Sequence, residues 1–568
     1  MSSEIKNLLN GQFPAKDGQT LSTIGTSKAE LQQWVSSLPM LNVGITAKQI
    51  FTALQELAVI NLPDATRFEL MEVLRPAISS TIESLSKNYT NQSILNDERA
   101  ERIAVLAQQF RIYTAMIYHG IATRSAQQHQ SHKYSVFELV KKKAMINLIA
   151  KATHRGLAEF FYVYAKTKML YLSDFPGLWL RAHELYKLAS RLGLANLALE
   201  DKHQNYGKKA TIEQMYLRLI FLSASQTPKL RQAEIKTFSQ LSELWVDLLR
   251  ISSTPSSHDL LWIDTTVDAA PSYAKTDADQ HAGLLYINVD GLLSHVENLN
   301  DKGGKGLHAD EETLLTPSLK RHLLQILHTP KERAAERQSH EGKLTTALGF
   351  IGSHYQVAGQ RPFEELIEEP EIDLSLDFAD QYSNMNQNYE LTHDAVRQNQ
   401  MGDYHITHDC HIVNVSDTGY CLRWSGVSPR TLRNGELISL KKDDDANWSV
   451  GLIRWVQQQL NADPEFGVEL LSAHGIACGA RVIQKDGSSS DYMRTLLLPH
   501  DAAQNKATLV TPALVFKSGH KVLIRLGDEE VHIQLERPLL VTQSFSQFEF
   551  VVVSTTLSNH HTLNDLMI

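Results

Sequence analysis

From Ser27 to about Arg250 apolar residues recur every three or four positions, a period that predicts helix almost throughout. Ser27-Lys-Ala-Glu30 has the form of a capping box and opens a helix through Leu31, Trp34 and Val35. Further helices are expected at 46–58, 64–87, 96–125, 135–172, 177–193, 210–225 and 231–251. Ala144–Tyr171 carries Ile146, Leu148, Ile149, Leu157, Phe160, Phe161, Val163 and Tyr164, apolar on several faces, which places it at the centre of a bundle. Leu178–Gly193 ends at a glycine, a natural helix stop, and no repeat of fixed period accompanies it. Residues 1–27, rich in Gly, Thr and Ser, read as a flexible lead-in.

Beyond Arg250 the pattern changes. Ser252-Ser-Thr-Pro-Ser-Ser257 is turn punctuation, followed by β-like runs at Leu260–Thr266 and Leu284–Asp290. Amphipathic helices are expected at about 291–299 and, after Thr316-Pro317, at 317–328, so 251–330 forms an α/β connecting region. Lys343–Val357 reads as a strand. The stretch 358–407 is acidic and polar, with Glu364–Asp377 and Asn384–Asn388 offering little apolar surface to order it. Strand-like runs return at His411–Trp424, Gly435–Leu440, Trp448–Trp455 and Phe466–Leu471. A last set, within 476–568, covers Met493–Pro499, Ala507–Thr511, Lys521–Leu526, Val531–Leu535 and Phe548–Val553, with Gly527-Asp528 as a hairpin turn. It predicts a second small antiparallel barrel or sheet. The fold class is multidomain α+β, an all-helical interaction domain over 28–250 followed by antiparallel β domains.

Composition narrows the function. With 568 residues there is chain for three or four domains, and 42% apolar and 21% charged residues are typical of soluble globular proteins. A net charge of −9 argues against a nucleic-acid partner, which needs a basic surface. Cys410, Cys421 and Cys478 form no C-x-x-C pair and no disulfide framework, pointing to a reducing, cytoplasmic setting. The N-terminus lacks the basic-then-apolar order of a signal peptide, and no apolar run reaches the roughly 18–20 residues of a membrane span.

Chemistry is thin in the helical half. His183-Glu184 has no second histidine four residues on, and His154-Arg155 and Lys141-Lys-Lys143 read as solvated or capping positions. A helical block of this kind is expected to hold a protein partner or a neighbouring domain. His405, His408, Cys410 and His411 have metal-ligand side chains, but their spacing fits no zinc pattern, and 410 and 411 would face opposite sides of a strand. No metal and no cofactor is expected. No nucleophile–base pair or phosphate-cradling loop appears, so a binding protein is expected rather than an enzyme.

One stretch does carry recognition chemistry. In His411–Trp424, Ile412, Asn414 and Ser416 alternate with Val413 and Val415, leaving one apolar face and one able to hydrogen-bond, before a turn at Asp417-Thr418-Gly419. A carboxamide and a hydroxyl two residues apart suit the edge of a purine. Upstream, Arg333 and Arg337 stand four apart at the mouth of a strand, where both can reach one phosphate. Arg333-x-x-x-Arg337, then Asn414-x-Ser416-x-x-Gly419, then Gly451-x-Ile453-x-Trp455 and the closing Gly467-Val468 occur in the order of the PilZ family. Residues 331–475 resemble a PilZ β-barrel with an unusual insertion at 358–407. The resemblance implies binding of cyclic dimeric GMP. Arg333 and Arg337 would hold phosphate and a guanine face, Asn414 and Ser416 a guanine edge, and Gly419 would leave room for the ring. The helical domain would relay binding to a protein partner. The competing reading is a nucleotide-independent scaffold with degenerate barrels. Carboxylates of the insertion, among them Glu364 and Glu365, are candidate occupants of the arginines when no phosphate is present.

Overall fold

The computed structural model describes residues 2–13, 25, 27–90, 98–273, 283–301, 304–328, 338–339, 342–367, 406–429, 431–442, 445–458, 462–484, 489–500, 506–527 and 529–555. The chain divides into two units, residues 1–332 with 458–462, and residues 333–457 with 463–568.

Helices fill the first unit where the 3.6-residue period placed them. They are α1 (Ser2–Leu9), α2 (Lys28–Ser37), α3 (Val43–Val59), α4 (Asp64–Ser86), α5 (Glu98–Ser131), α6 (Leu139–Met169), α7 (Leu178–Arg191), α8 (Ile212–Ala224) and α9 (Gln232–Trp245). The capping box at α2 is formed: the Ser27 hydroxyl accepts from the Glu30 amide, and the Glu30 carboxylate accepts from the Ser27 amide. Gly193, at φ +67°, closes α7. In α6, nearly every residue from Ile149 to Ala165 is buried, as its all-round apolar character requires, and α5 packs along it. The lead-in departs from expectation at its start, because α1 buries Ile5, Leu8 and Leu9 and packs on α5. Burial of three aliphatic side chains outweighs the helix-poor composition around them.

His154 and Arg155 also depart from the sequence reading. Both are buried, and Arg155 reaches Asp201 at 3.2 Å and Glu72 at 3.4 Å. Asp201 lies between two short paired strands, β1 (Leu199–Glu200) and β2 (Lys209–Ala210). The unit continues through β3 (Arg250–Ser252), β4 (Asp259–Asp264), β5 (Ser272–Tyr273) and β6 (Leu284–Asn288), a sheet in the order β3-β6-β4-β5. Three further helices follow: α10 (Asp290–Asp301), α11 (Ala309–Leu314) and α12 (Pro317–Ile326). The Trp245 indole donates to buried Glu311 at 2.7 Å, fixing α11 to α9.

The second unit holds two closed barrels. In the first, β8 (Lys343–Leu348), β9 (His408–Ser416), β10 (Gly419–Trp424), β11 (Leu437–Lys441), β12 (Ser449–Gln457) and β13 (Glu465–Ser472) close in the ring β8-β9-β10-β13-β12-β11. A two-residue strand, β7 (Gln338–Ser339), extends along β9. In the second, β14 (Ile476–Ile483), β15 (Met493–Leu498), β16 (Thr508–Pro512), β17 (Lys521–Leu526), β18 (Glu529–Val541) and β19 (Phe545–Thr555) close in the ring β14-β15-β16-β19-β18-β17. Every pairing in both barrels is antiparallel.

The strand expected over 343–357 stops at Leu348. Gly349, at φ +78°, turns the chain into α13 (Gly349–Val357), and α14 (Phe363–Ile367) follows inside the stretch read as an unordered insertion. Leu366 and Ala358 join Leu437, Leu452 and Leu471 of the first barrel and Leu496, Leu498 and Phe545 of the second in one core cluster. That shared core orders the first ten residues of the insertion. Glu364 and Glu365 are exposed on α14, and residues 368–405 lie outside the described residues.

Candidate functional site

Asn414 and Ser416 lie near the end of β9, paired with Cys421 and Gly419 of β10. The register shifts between these strands: Leu422 pairs with Ile412 but Cys421 with Asn414, leaving Val413 as an extra residue. Leu422 and Cys421 are successive residues and face opposite sides, so their partners Ile412 and Asn414 do too. Strict alternation would have put Asn414 with Ile412 facing the core. The bulge instead turns Asn414 and Ser416 together to the outer face of the barrel, so the two share one face as expected, and the correction is that Ile412 does not share it.

The outer face can be followed across the sheet. His411, Arg423 and Glu465 form one row, with Arg423 donating to Glu465 at 2.7 and 3.2 Å. Asn414, Cys421, Gly467 and Trp455 form the next, and Ser416, Gly419 and Glu469 the third. A side chain at Gly467 would collide with the Trp455 indole, so the glycine lets that ring lie flat across the strand. Arg454, at a second register shift in β12, is ion-paired to Glu469. Among the described residues the Asn414 carboxamide has no hydrogen-bond partner. The Ser416 hydroxyl donates to the Gly419 carbonyl at 3.3 Å across the turn. Gly419 has a structural reason of its own, since a Cβ there would strike the Val468 carbonyl.

Arg333 and Arg337 lie outside the described residues. The residues directly after Arg337 are Gln338 and Ser339, and these pair with Val415 and Asn414. The interruption between β7 and β8 falls opposite the bulge, where the Ile412 amide donates to the Gly342 carbonyl at 2.9 Å.

Of the histidine–cysteine set, His405 is outside the described residues. Cys410 is buried in the barrel beside Thr346, its thiol pushed up to about 11 by burial. His408 packs on the Trp424 ring and His411 is exposed on the other side of the strand. Among the described residues no cluster of metal-ligating side chains occurs. His183 is a core residue, bonded to the Tyr216 hydroxyl at 2.7 Å and held neutral by burial.

Three family models match the chain, described as the N-terminal domain of cyclic-di-GMP receptor FimW over 29–256, its middle PilZ domain over 260–403 and 377–476, and the FimW C-terminal beta-barrel domain over 478–553. Cyclic-di-GMP receptor FimW of Pseudomonas aeruginosa is 30% identical over 578 residues, covering 95% of this chain and 93% of its own length. The chain belongs to the FimW family. No solved structure matches it. The FimW middle-domain model begins at residue 260, so it takes in most of the β3–β6 sheet, which here belongs to the first unit.

Sequence reading missed the aromatic and charged part of the outer face. Trp455 was visible as a motif residue, but its facing depends on the shift at Arg454. It also missed a cavity of about 510 Å³ between the barrels, lined by Glu469, Leu471, Lys506, Arg537 and Glu549. No local pattern joins residues so far apart in the chain.

Proposed function

We propose that this chain is a cyclic-di-GMP receptor whose ligand lies on the outer face of the first barrel. Asn414 and Ser416 bind a guanine edge, while Arg333 and Arg337 grip phosphate through forked guanidinium donors and stack on a guanine. The observation that supports this most is the bulge at Val413, which turns two polar side chains outward where β7, the continuation of Arg337, is paired to them. The name of the Pseudomonas aeruginosa relative supports the choice of ligand. In this reading the protein binds without catalysis, needs no metal, works in the cytoplasm and passes the signal to a protein partner through its helical unit.

Calorimetric titration of the full chain tests it. Binding at micromolar or better affinity is expected. Arg333→Ala and Arg337→Ala should each weaken binding about ten- to hundredfold, since a charge-assisted hydrogen bond contributes roughly 1.5–3 kcal/mol. No heat and no thermal shift at about 100 μM ligand would leave the scaffold reading in its place. Wild-type affinity in both arginine variants would move the phosphate site elsewhere.

A further inference from the structure

Helices α5 and α6 form a hairpin whose far end leaves the bundle. No residue between Ala126 and Ile149 is buried, so α6 runs roughly 15 Å, at 1.5 Å per residue, before it meets the core. At this tip Val136, Phe137, Leu139 and Val140 are 80%, 98%, 62% and 83% exposed. Four large apolar side chains side by side in water are costly, and soluble proteins seldom keep them without a use.

The tip is a built structure. Ser135 and Glu138 make a capping box, and Glu138 is bonded to His132 and Lys141, each at 3.3 Å. Tyr134 packs on His132 and shares a hydrogen bond with His129 at 3.1 Å. The turn is therefore held in shape while its apolar residues point outward.

Charge identifies what covers them. Between 127 and 148 the chain has four lysines, Lys133 and Lys141–Lys143, against the single acid Glu138, in a protein of net charge −9. All four lysines are exposed. A basic collar around an apolar tip complements an anionic lipid surface: the apolar side chains enter the headgroup boundary while lysine stems lie along it with their ammonium groups in water. No helix among the described residues is long and apolar enough to cross a membrane, so the contact is peripheral.

We infer that the α5–α6 hairpin tip docks this protein on anionic membrane surfaces, through Val136, Phe137, Leu139 and Val140 and the lysines around them. The full chain should cosediment with vesicles of phosphatidylcholine containing about 30% phosphatidylglycerol, and not with phosphatidylcholine alone. Raising salt from roughly 50 to 300 mM should weaken binding about tenfold. The triple variants F137S/L139S/V140S and K141E/K142E/K143E should both lose binding while keeping wild-type circular dichroism and melting, because every substituted residue is exposed. Three results would overturn the inference: no cosedimentation, equal binding to neutral vesicles, or wild-type binding in both variants. Self-association that light scattering detects and F137S/L139S/V140S abolishes, without vesicle binding, would make the tip a protein contact instead.

Discussion

Asp201 accepts two hydrogen bonds from Arg75, at 3.0 and 3.3 Å, and pairs with Arg155 at 3.2 Å, all three side chains being buried. Burial alone would raise its carboxyl pKa, but the two guanidinium groups outweigh it and hold the group below the usual carboxylate range. Neighbouring His154, fully buried beside two arginines, is pushed down to about 3 and stays neutral. Removing the carboxylate charge would leave two buried cations to share one remaining partner, the partly exposed Glu72, 3.4 Å from each. Asp201→Asn should destabilise the first unit by roughly 3–5 kcal/mol, read as a lower urea midpoint. A loss below about 1 kcal/mol would mean that water reaches the arginines. Gly467 shows the same dependence on one position, since its missing side chain is what admits the Trp455 ring.

Among the elements, α13 and α14 matter more than their length suggests. His354 of α13 hydrogen-bonds the Cys478 carbonyl at 3.2 Å, the Gly527 amide donates to the Leu366 carbonyl at 2.8 Å, and Leu366 is buried in the core shared by the barrels. A short helical segment thus joins two closed sheets that have no free edges to pair. Leu366→Ala should cost roughly 2–5 kcal/mol, as a core truncation that leaves a cavity, and should lower the melting of both barrels together. Independent melting, with only one barrel affected, would show that they do not fold as one unit. Strand β9 is the second such element, since its one-residue bulge decides which face carries Asn414.

Across the whole molecule, buried neutral histidines set the response to acid. Burial pushes His183 in the first unit and His354 in the second down to about 4, from an ordinary 6.5. A folded-state pKa below the unfolded one gives stability that is full above pH 6.5 and lost as pH falls towards 4. Each histidine should cost about 2 kcal/mol at pH 5, at 1.36 kcal/mol per unit. Calorimetric melting should therefore shift down in both units between pH 7 and 5, and His354→Gln should reduce the shift in the second unit alone. A pH-independent profile would mean that these rings open to water. The connecting region belongs to this scale too. Trp245–Glu311 and the His322–Ser225 bond at 2.8 Å tie residues after 251 to the helices before it.

By itself the sequence determined the helical half, the two β domains, the capping box at Ser27 and the order of the family motifs. These follow from side-chain period and from chemistry within a few residues, which act locally wherever the chain goes. It misread what long-range partners decide. The strand over 343–357 became strand and helix because Gly349 turns the chain and the core shared by the barrels takes up Phe350 and Val357 of the helix. His154-Arg155 became core because Asp201, nearly fifty residues on, neutralises it. Asn414 left the face of Ile412 because β10 fixes a register with one residue to spare. Facing, burial and charge compensation belong to pairs of residues far apart in the chain, so only the tertiary structure could decide them.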